Sequence, residues 1–352
     1  MKETSRRGFI GTAAMAAGGM MAGCGTAAAA RKDDGFIWAA LLHMGTNMWC
    51  DQMPEEHSIY KGENLSLICK ADHVRFDEKV WRSLTAHMVE VGMNMVVIDL
   101  GEAIKYPSHP ELWVEGSWEI ERFRKELARL RAMGLEPIPK LNFSAAHDIW
   151  LKDYERMLST PEYYKVCSDV IRDVSDIFDR PRFMHIGYDE EIAHHQRRYL
   201  YCAVRQGDLW WHDFNWFVDT VEKAGMRPWI WSDYAWHHPD LFYKRMSKSV
   251  LQSNWYYGLE FDIEKMKKNN WRPERVQTYI DLDKAGFDQI PTGSNWSCDG
   301  NFAATVDFCR RNCTSGSVKG FMTAPWFFTL PGWERKCLDA IDQVGAVIRA
   351  GA

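Results

Sequence analysis

Three consecutive carboxylates, Asp189, Glu190 and Glu191, end an apolar run that begins at residue 183. Two carboxylates held close together cannot both ionise freely, so one of them acquires a raised pKa and stays protonated near neutral pH. A protonated carboxyl can act as the general acid in the cleavage of a glycosidic bond, and the neighbouring anion can stabilise positive charge on the substrate. The adjacent pair Asp189 and Glu190 is therefore the predicted catalytic centre.

Polar and aromatic side chains also follow the other apolar runs, as in a binding site built at strand ends. A lone aspartate in such a place can instead be a solvated turn or a helix N-cap, and that alternative stays open for Asp99 and Asp233. Tryptophan at these positions can stack on the apolar face of a sugar ring. On this basis the candidate substrate-binding residues are His43, Asp99, Asn142, Asp233, Trp255, Trp296 and Trp326.

Eight apolar segments alternate with amphipathic helical patterns, and these elements must position the candidate residues. Residues 119–134, for example, place Phe123, Leu127 and Leu130 on one stripe with a period of 3.6. Near-continuous apolar strands separated by helices predict a parallel sheet, and eight such units fit a single (β/α)8 TIM barrel of the α/β class. A doubly wound sheet is the alternative, but no GxGxxG sequence follows any strand. The predicted strands span residues 36–45, 94–101, 135–143, 182–189, 227–234, 249–257, 288–296 and 318–328.

The first 24 residues predict an export signal and not a part of the fold. Two arginines precede a weakly apolar Gly/Ala-rich run, which is the pattern of a twin-arginine (Tat) signal, and the run ends in a lipobox-like sequence at Cys24. Cys24 is the predicted lipidated residue, with cleavage by an ordinary signal peptidase as the alternative. We expect residues 25–35 to form a tether and residues 36–350 to form the catalytic barrel. The predicted location is the periplasm or the membrane surface, with contact to the membrane only through an acylated Cys24.

The composition is that of an ordinary globular protein, with a formal charge of −5 over 352 residues. No block of Lys or Arg forms a nucleic-acid patch, and no zinc-like cysteine spacing or HExxH motif indicates a metal. Residues 267–275 (KKNNWRPER) are predicted to be solvated surface. Of the 17 tryptophans, most should fill the core and the rest could stack on sugars. We therefore expect a carbohydrate partner, no nucleic acid, no cofactor and no metal.

The order of these segments resembles glycoside hydrolase family 20, the β-N-acetylhexosaminidases. The family signature at the fourth strand is His-x-Gly-Gly-Asp-Glu, and this chain has HIGYDE at residues 185–190. The helix, Gly turn and Ile-Pro strand in residues 119–147 are similar to the family's segment that leads to a histidine, here His147. The sequences WIWSD and APWFF resemble the Trp-rich ends of the family's fifth and eighth strands. The likeness covers most of residues 80–330.

The resemblance implies that Glu190 is the general acid/base. It implies that Asp189 orients the 2-acetamido group of the substrate, whose carbonyl oxygen attacks the anomeric carbon. His147, His185 and Tyr188 join the candidate substrate-binding residues on the same ground. The commonest retaining barrel glycosidases need a carboxylate at the end of the seventh strand, and IPTGSNW offers none there. That absence favours an acetamido nucleophile or an inverting mechanism.

The chain also departs from the family pattern. Tyr188 replaces the second Gly of the signature, Lys140 and Asn142 stand where the family usually carries Glu and Asp, and the first strand lacks the family's arginine. These differences indicate a distant relative with altered sugar specificity.

Two other classes of protein stay open. A non-catalytic glycan-binding lipoprotein would keep the aromatic residues and tolerate the loss of the acid chemistry. A metal-dependent barrel sugar isomerase or hydrolase could use His43, His185, Asp189 and Glu190 as ligands.

Overall fold

Eight short parallel strands form the centre of the chain, and each lies within one of the eight predicted segments. The computed structural model describes residues 35–55, 57 and 60–351. The predicted signal, Cys24 and all of the tether except Gly35 lie outside the described residues. The strands are β1 (Ile37–His43), β2 (Met95–Asp99), β3 (Glu136–Lys140), β4 (Phe183–His185), β5 (Arg227–Trp231), β6 (Leu251–Ser253), β7 (Thr292–Gly293) and β8 (Gly320–Thr323).

The strands form one barrel. Their order in the sheet is β6-β5-β4-β3-β2-β1-β8-β7, and every neighbouring pair is parallel. Backbone hydrogen bonds join the two ends of this order: Ile290 N–H donates to Gln252 O at 2.8 Å, and Thr292 N–H donates to Asn254 O at 2.9 Å. The (β/α)8 TIM barrel predicted from the sequence is confirmed.

Helices surround the barrel, and their apolar stripes face it. In α2, Phe123, Leu127 and Leu130 are buried, as the periodicity predicts. Side-chain caps fix several helix starts, and Asp77, for example, accepts hydrogen bonds from the backbone N–H groups of Lys79 and Val80. The α-helices are α1 (Glu78–Glu90), α2 (Ile120–Ala132), α3 (Pro161–Ile177), α4 (Gly207–Lys223), α5 (Tyr234–His237), α6 (Pro239–Arg245), α7 (Ile263–Asn269), α8 (Glu274–Lys284), α9 (Asn301–Asn312) and α10 (Glu334–Arg349), and 3-10 helices span Gly62–Ile68, Pro110–Leu112, Ile149–Arg156 and Pro331–Trp333.

The core has two layers. The larger one lies between the strands and the helices, and the smaller one fills the barrel with side chains such as Leu41, Val97 and Trp229. Ten of the 17 tryptophans are buried, in line with the prediction that most of them fill the core, and the largest fully buried side chains include Trp81, Trp150, Trp211, Trp229 and Trp231. Among the described residues, no helix has the length and apolarity needed to cross a membrane.

Candidate active site

A cavity of about 1650 Å³ opens at the carboxyl ends of the strands. This is the end of a (β/α)8 barrel where loops from different strands meet. Nine of the predicted site residues line it: Asn142, His147, Tyr188, Asp189, Glu190, Asp233, Trp255, Trp296 and Trp326. The loops after β3, β4, β5, β6, β7 and β8 thus bring residues nearly 190 positions apart in sequence to one site.

A tight turn after β4 carries the two central carboxylates. Gly187, Tyr188 and Glu190 all have positive φ, at 66°, 73° and 54°. At Gly187 the turn requires glycine, because a Cβ atom there would lie 2.1 Å from Asn142 Oδ1. For Tyr188 and Glu190 the left-handed conformation is strained, and such strain is typical of functional sites. The turn places Asp189 and Glu190 at the cavity.

Asn142, at the end of β3, fixes the orientation of Asp189. Its Nδ2 group donates a hydrogen bond to Asp189 Oδ1 at 2.8 Å. Its Oδ1 atom accepts from the backbone N–H groups of Tyr188, at 3.1 Å, and Ser144, at 3.0 Å. Because every polar atom of the Asn142 amide is engaged in this way, the buried Asp189 carboxylate is held in place, and its other oxygen, Oδ2, lies 3.5 Å from His147 Nε2.

Glu190 is the most accessible of the carboxyls in the cavity, with 25% of its side chain exposed. Its Oε2 atom lies 3.3 Å from His147 Nε2 and 3.2 Å from His195 Nδ1. Burial alone would raise the pKa of Glu190, but the contact with His147 and the positive charges of His147 and His195 hold that pKa below its usual range.

His147 shows the complementary shift. Burial lowers the pKa of its imidazole, but the charges of Asp189 and Glu190 outweigh burial and hold the pKa above the ordinary value. His147 Nε2 lies 3.3 Å from the Glu190 oxygen, so a proton could pass directly between the two groups.

Asp233, at the end of β5, is the third acidic group of the site. Burial and the charge of Asp189 raise the pKa of Asp233 to about 8. Its Oδ2 atom accepts a hydrogen bond from the backbone N–H of Glu190 at 2.9 Å, and its buried Oδ1 atom has no partner among the described residues. The sequence predicted a raised pKa within the Asp189–Glu190 pair, and the structure places it on Asp233. The reason is that histidines face Glu190, whereas Asp233 is buried beside another carboxylate.

The third consecutive carboxylate, Glu191, has a structural contact and not a catalytic one. Arg205 donates to it from its backbone N–H at 2.9 Å, from Nε at 2.8 Å and from Nη2 at 2.5 Å. The backbone N–H of Ala145 adds a fourth hydrogen bond at 3.1 Å. Glu191 therefore joins the loop after β4 to the loop after β3.

His43, Asp99 and His185 do not line the cavity as expected for substrate-binding residues. They lie one layer below it, inside the barrel, and each is at most 1% exposed. Asp99 Oδ2 lies 2.6 Å from Lys140 Nζ and 3.4 Å from His43 Nδ1. Burial alone would raise the pKa of Asp99, but the charge of the neighbouring Lys140 lowers it. The overall shift of the Asp99 pKa is downward. The side chains of strand ends that point into a barrel fill its interior, and these three form the floor of the site.

Aromatic rings form one wall of the cavity. Trp255 packs against Trp236, with ring centroids 4.6 Å apart, and stacks on Tyr257 at 5.1 Å. Trp326 Nε1 donates to the Tyr257 hydroxyl at 2.8 Å, which fixes both rings. Tyr188 differs from the expectation, because its ring packs against Trp210, Phe214 and Phe217 and is 2% exposed. Tyr188 therefore borders the cavity, but its ring packs against helix α4.

Arg275 was not predicted from the sequence to be a residue of the site. It belongs to the segment 267–275 that was predicted to be solvated surface, yet Arg275 lines the cavity. Its guanidinium lies 4.5 Å from the centre of the Trp236 ring and 5.2 Å from that of Trp255. No local sequence signal distinguishes this arginine, because its position depends on the loops after β5 and β6.

One cluster at the site could hold a metal ion. Ligand atoms of His147, Asp189 and Glu190 lie within 4.8 Å of one another. Carboxylate oxygens and an imidazole nitrogen suit a divalent cation. The same closeness explains the opposite pKa shifts of His147 and Glu190 without a metal, so the geometry permits both uses.

Comparison with known proteins shows similarity of fold. No family model matches the chain, and no curated protein matches it. Among solved structures, the chain is similar to the β-N-acetylhexosaminidase from Bacteroides fragilis (TM-score 0.53, 13% identity) and to dispersin B (TM-score 0.54, 13% identity). It is also similar to the N-acetyl-β-hexosaminidase of Streptomyces plicatus (TM-score 0.56, 12% identity).

The matches differ in extent. They cover 88%, 77% and 88% of this chain, which corresponds to 65%, 95% and 64% of the three proteins, respectively. The chain thus spans about two thirds of the two longer hexosaminidases and nearly all of dispersin B. Its barrel has the fold of these three structures.

Proposed function

We propose that this protein is an exported glycoside hydrolase that cleaves the glycosidic bond of an N-acetylhexosamine by a substrate-assisted, retaining route. The observation that carries the proposal is the pairing of Asp189, fixed by Asn142, with the accessible Glu190 in an aromatic-walled cavity. Export and lipidation at Cys24 rest on the sequence of residues 1–24 alone.

Glu190 is the proposed general acid. His147 Nε2, 3.3 Å away, can supply a proton to Glu190 Oε2, which passes it to the glycosidic oxygen as the bond between this oxygen and the anomeric carbon breaks. Asp189 orients the acetamido group through Oδ2, the oxygen that Asn142 does not bind, and the acetamido carbonyl oxygen bonds to the anomeric carbon. Glu190, now a carboxylate, then takes a proton from the water that opens the cyclic intermediate.

The distribution of carboxyls supports an internal nucleophile. Four carboxyls line the cavity in the described part of the chain: Asp189, Glu190, Glu191 and Asp233. Arg205 engages Glu191, and the pKa of about 8 keeps Asp233 protonated at neutral pH. Asp189 is tied to Asn142 beside the acid itself. No further cavity carboxylate is left to attack from the opposite face of the sugar, so a nucleophile supplied by the substrate fits the site best.

Turnover of a panel of aryl glycosides tests this proposal. The mature domain should release the aryl group from β-GlcNAc or β-GalNAc glycosides and leave the β-glucoside and β-galactoside intact, because only the former carry the acetamido nucleophile. EDTA should not change the rate. Activity on the non-acetylated sugars would retain a glycosidase but exclude the substrate-assisted route. Loss of activity in EDTA with recovery on added Mg²⁺ or Mn²⁺ would assign the His147–Asp189–Glu190 cluster to a metal, and glycan binding without turnover would indicate a binding protein.

The raised pKa of Asp233 has a consequence for stability. Below about pH 4 the carboxyl is protonated in both the folded and the unfolded protein, whereas between about pH 4 and 8 only the folded protein holds the proton. The free energy of unfolding should therefore fall as pH rises through this range, by at most about 1.4 kcal/mol per pH unit from this group.

Urea unfolding from pH 4 to pH 8 measures this contribution. Wild type should lose stability relative to Asp233→Asn as pH rises, since the amide does not titrate. The exposed Asp240→Asn serves as the matched control and should run parallel to wild type. Parallel curves for Asp233→Asn would show that this carboxyl is not held protonated.

A further inference from the structure

The wall of the cavity is positively charged although the chain as a whole has a formal charge of −5. Six lysines and arginines line the cavity, against four carboxyls. Arg205 and Glu191 neutralise each other, and Asp233 is protonated at neutral pH. Two carboxyls, Asp189 and Glu190, then stand against five cations: Lys61, Arg197, Arg198, Arg272 and Arg275.

Arg275, one of these residues, is held in place by contacts with other cavity residues. Its backbone carbonyl accepts a hydrogen bond from Asn254 Nδ2 at 2.7 Å, so the residue after β6 fixes the start of α8. Its guanidinium stacks over Trp236 and Trp255, the rings that form the sugar-stacking wall. Both the backbone and the side chain of Arg275 are therefore held in place before any ligand binds.

The guanidinium donors of Arg275 have no hydrogen-bond acceptor among the described residues. Its Nε atom is buried without a hydrogen-bond partner, and no ion pair joins Arg275 to another residue of the described part of the chain. A guanidinium presents five donors in a planar fork that matches a carboxylate or a sulfate, and it can stack on an aromatic ring at the same time. Arg272, exposed at the same rim, adds a second positive charge. The Arg275 guanidinium therefore offers donors at the cavity that an anionic ligand could use.

We propose that Arg275, with the added charge of Arg272, binds an anionic substituent of the sugar that stacks on Trp236 and Trp255. The ligand is an acidic sugar that carries a carboxylate or a sulfate ester. The inference rests on the proposed glycosidase function of the same cavity and adds the class of substrate. Glu190 and Asp233 act electrostatically on Arg275, so the anion would lie close to the acid centre.

Paired substrates that differ only in charge test the proposal. Both pairs carry the 2-acetamido group: one pair is the aryl β-glycosides of N-acetylglucosaminuronic acid and of N-acetylglucosamine, and the other is the 6-sulfated and unsulfated aryl N-acetylglucosaminide. The wild-type protein should prefer the acidic member of one pair, which identifies the anion as carboxylate or sulfate. Arg275→Gln should lower the ratio of kcat/KM for the acidic to the neutral member by about 10- to 100-fold, and Arg275→Lys should restore part of it.

A matched control separates recognition from packing. Arg122 also stacks on a tryptophan, with its guanidinium 3.7 Å from the centre of the Trp118 ring, but lies outside the cavity, and Arg122→Gln should leave the substrate ratio unchanged. An equal loss on both members of each pair in Arg275→Gln would show that Arg275 only supports the tryptophans. That result would overturn the proposal.

Binding measured by calorimetry keeps this test independent of turnover. Glucuronate and glucose 6-sulfate are the probes, with glucose as the neutral reference, on wild type and Arg275→Gln. Binding of an acidic probe that Arg275→Gln abolishes, without hydrolysis of any substrate, would retain the anion subsite and reject the proposed glycosidase. Hydrolysis of neutral sugars with no preference for acidic ones in either assay would retain the glycosidase and reject the subsite.

Discussion

Glu190→Gln is expected to lower kcat on aryl N-acetylhexosaminides by about 10²- to 10⁴-fold, the range of a positioned general acid. Glutamine keeps the size of the side chain but cannot transfer a proton to the leaving oxygen. The effect on folding should be small, because Glu190 is partly exposed and its contacts are limited to His147 and His195. Steady-state kinetics with thermal unfolding of the same samples measures both quantities.

A comparison of two leaving groups tests most directly whether Glu190 donates a proton. A dinitrophenyl leaving group departs without much help from an acid, whereas a methylumbelliferyl group needs more of it, so the loss in Glu190→Gln should be smaller for the dinitrophenyl substrate. Glu264→Gln is the matched control, since Glu264 is exposed on α7, and it should retain wild-type rates. An equal loss with both leaving groups would indicate that Glu190 positions the substrate and donates no proton.

The fold was predictable because the barrel repeats one local pattern eight times. The prediction reached the correct eight segments but made them too long: the predicted strand 318–328 contains only the four residues of β8. Strand length depends on which backbone groups find partners on the neighbouring strands, and that is not encoded in the apolar run. Beyond Thr323 the chain leaves the sheet to reach the cavity with Trp326.

The candidate site was predictable only where its residues lie next to each other in one segment of the sequence. Asp189 and Glu190 follow each other in sequence, so their closeness needed no fold. The raised pKa of Asp233 depends on a contact between the loops after β4 and β5, and the place of Arg275 depends on tryptophans 20 to 39 positions earlier. The burial of Asp99 with Lys140 likewise appears only when β2 and β3 pair. Electrostatic interactions between residues on different loops and strands could therefore not be predicted from the sequence.

Arg205→Met is expected to cost about 3 to 5 kcal/mol of the free energy of unfolding, because it leaves a buried carboxylate without its cation. Arg205 is 3% exposed and contacts Glu191, Asp213 and the Phe143 carbonyl oxygen. Methionine fills much of the same volume but offers none of these hydrogen bonds. Urea unfolding at neutral pH measures the loss. The surface variant Arg311→Met, which removes an exposed i, i+4 ion pair with Asp307, should change stability by less than about 1 kcal/mol.

A double variant separates charge from packing at this position. Adding Glu191→Gln to Arg205→Met removes one of the two buried carboxylates that Arg205 contacts and should recover part of the lost stability, whereas Glu191→Gln alone should destabilise the protein, because it weakens an intact ion pair. Strictly additive effects would mean that Arg205 acts through Phe143 and Asp213 and not through Glu191. Because Glu191 ties the loop after β4 to Ala145 in the loop after β3, the single Arg205 variant should also lower kcat, and the double variant should recover activity to the extent that it restores stability. Glu191 would then serve the chemistry of Asp189 and Glu190 only by holding their turn in place.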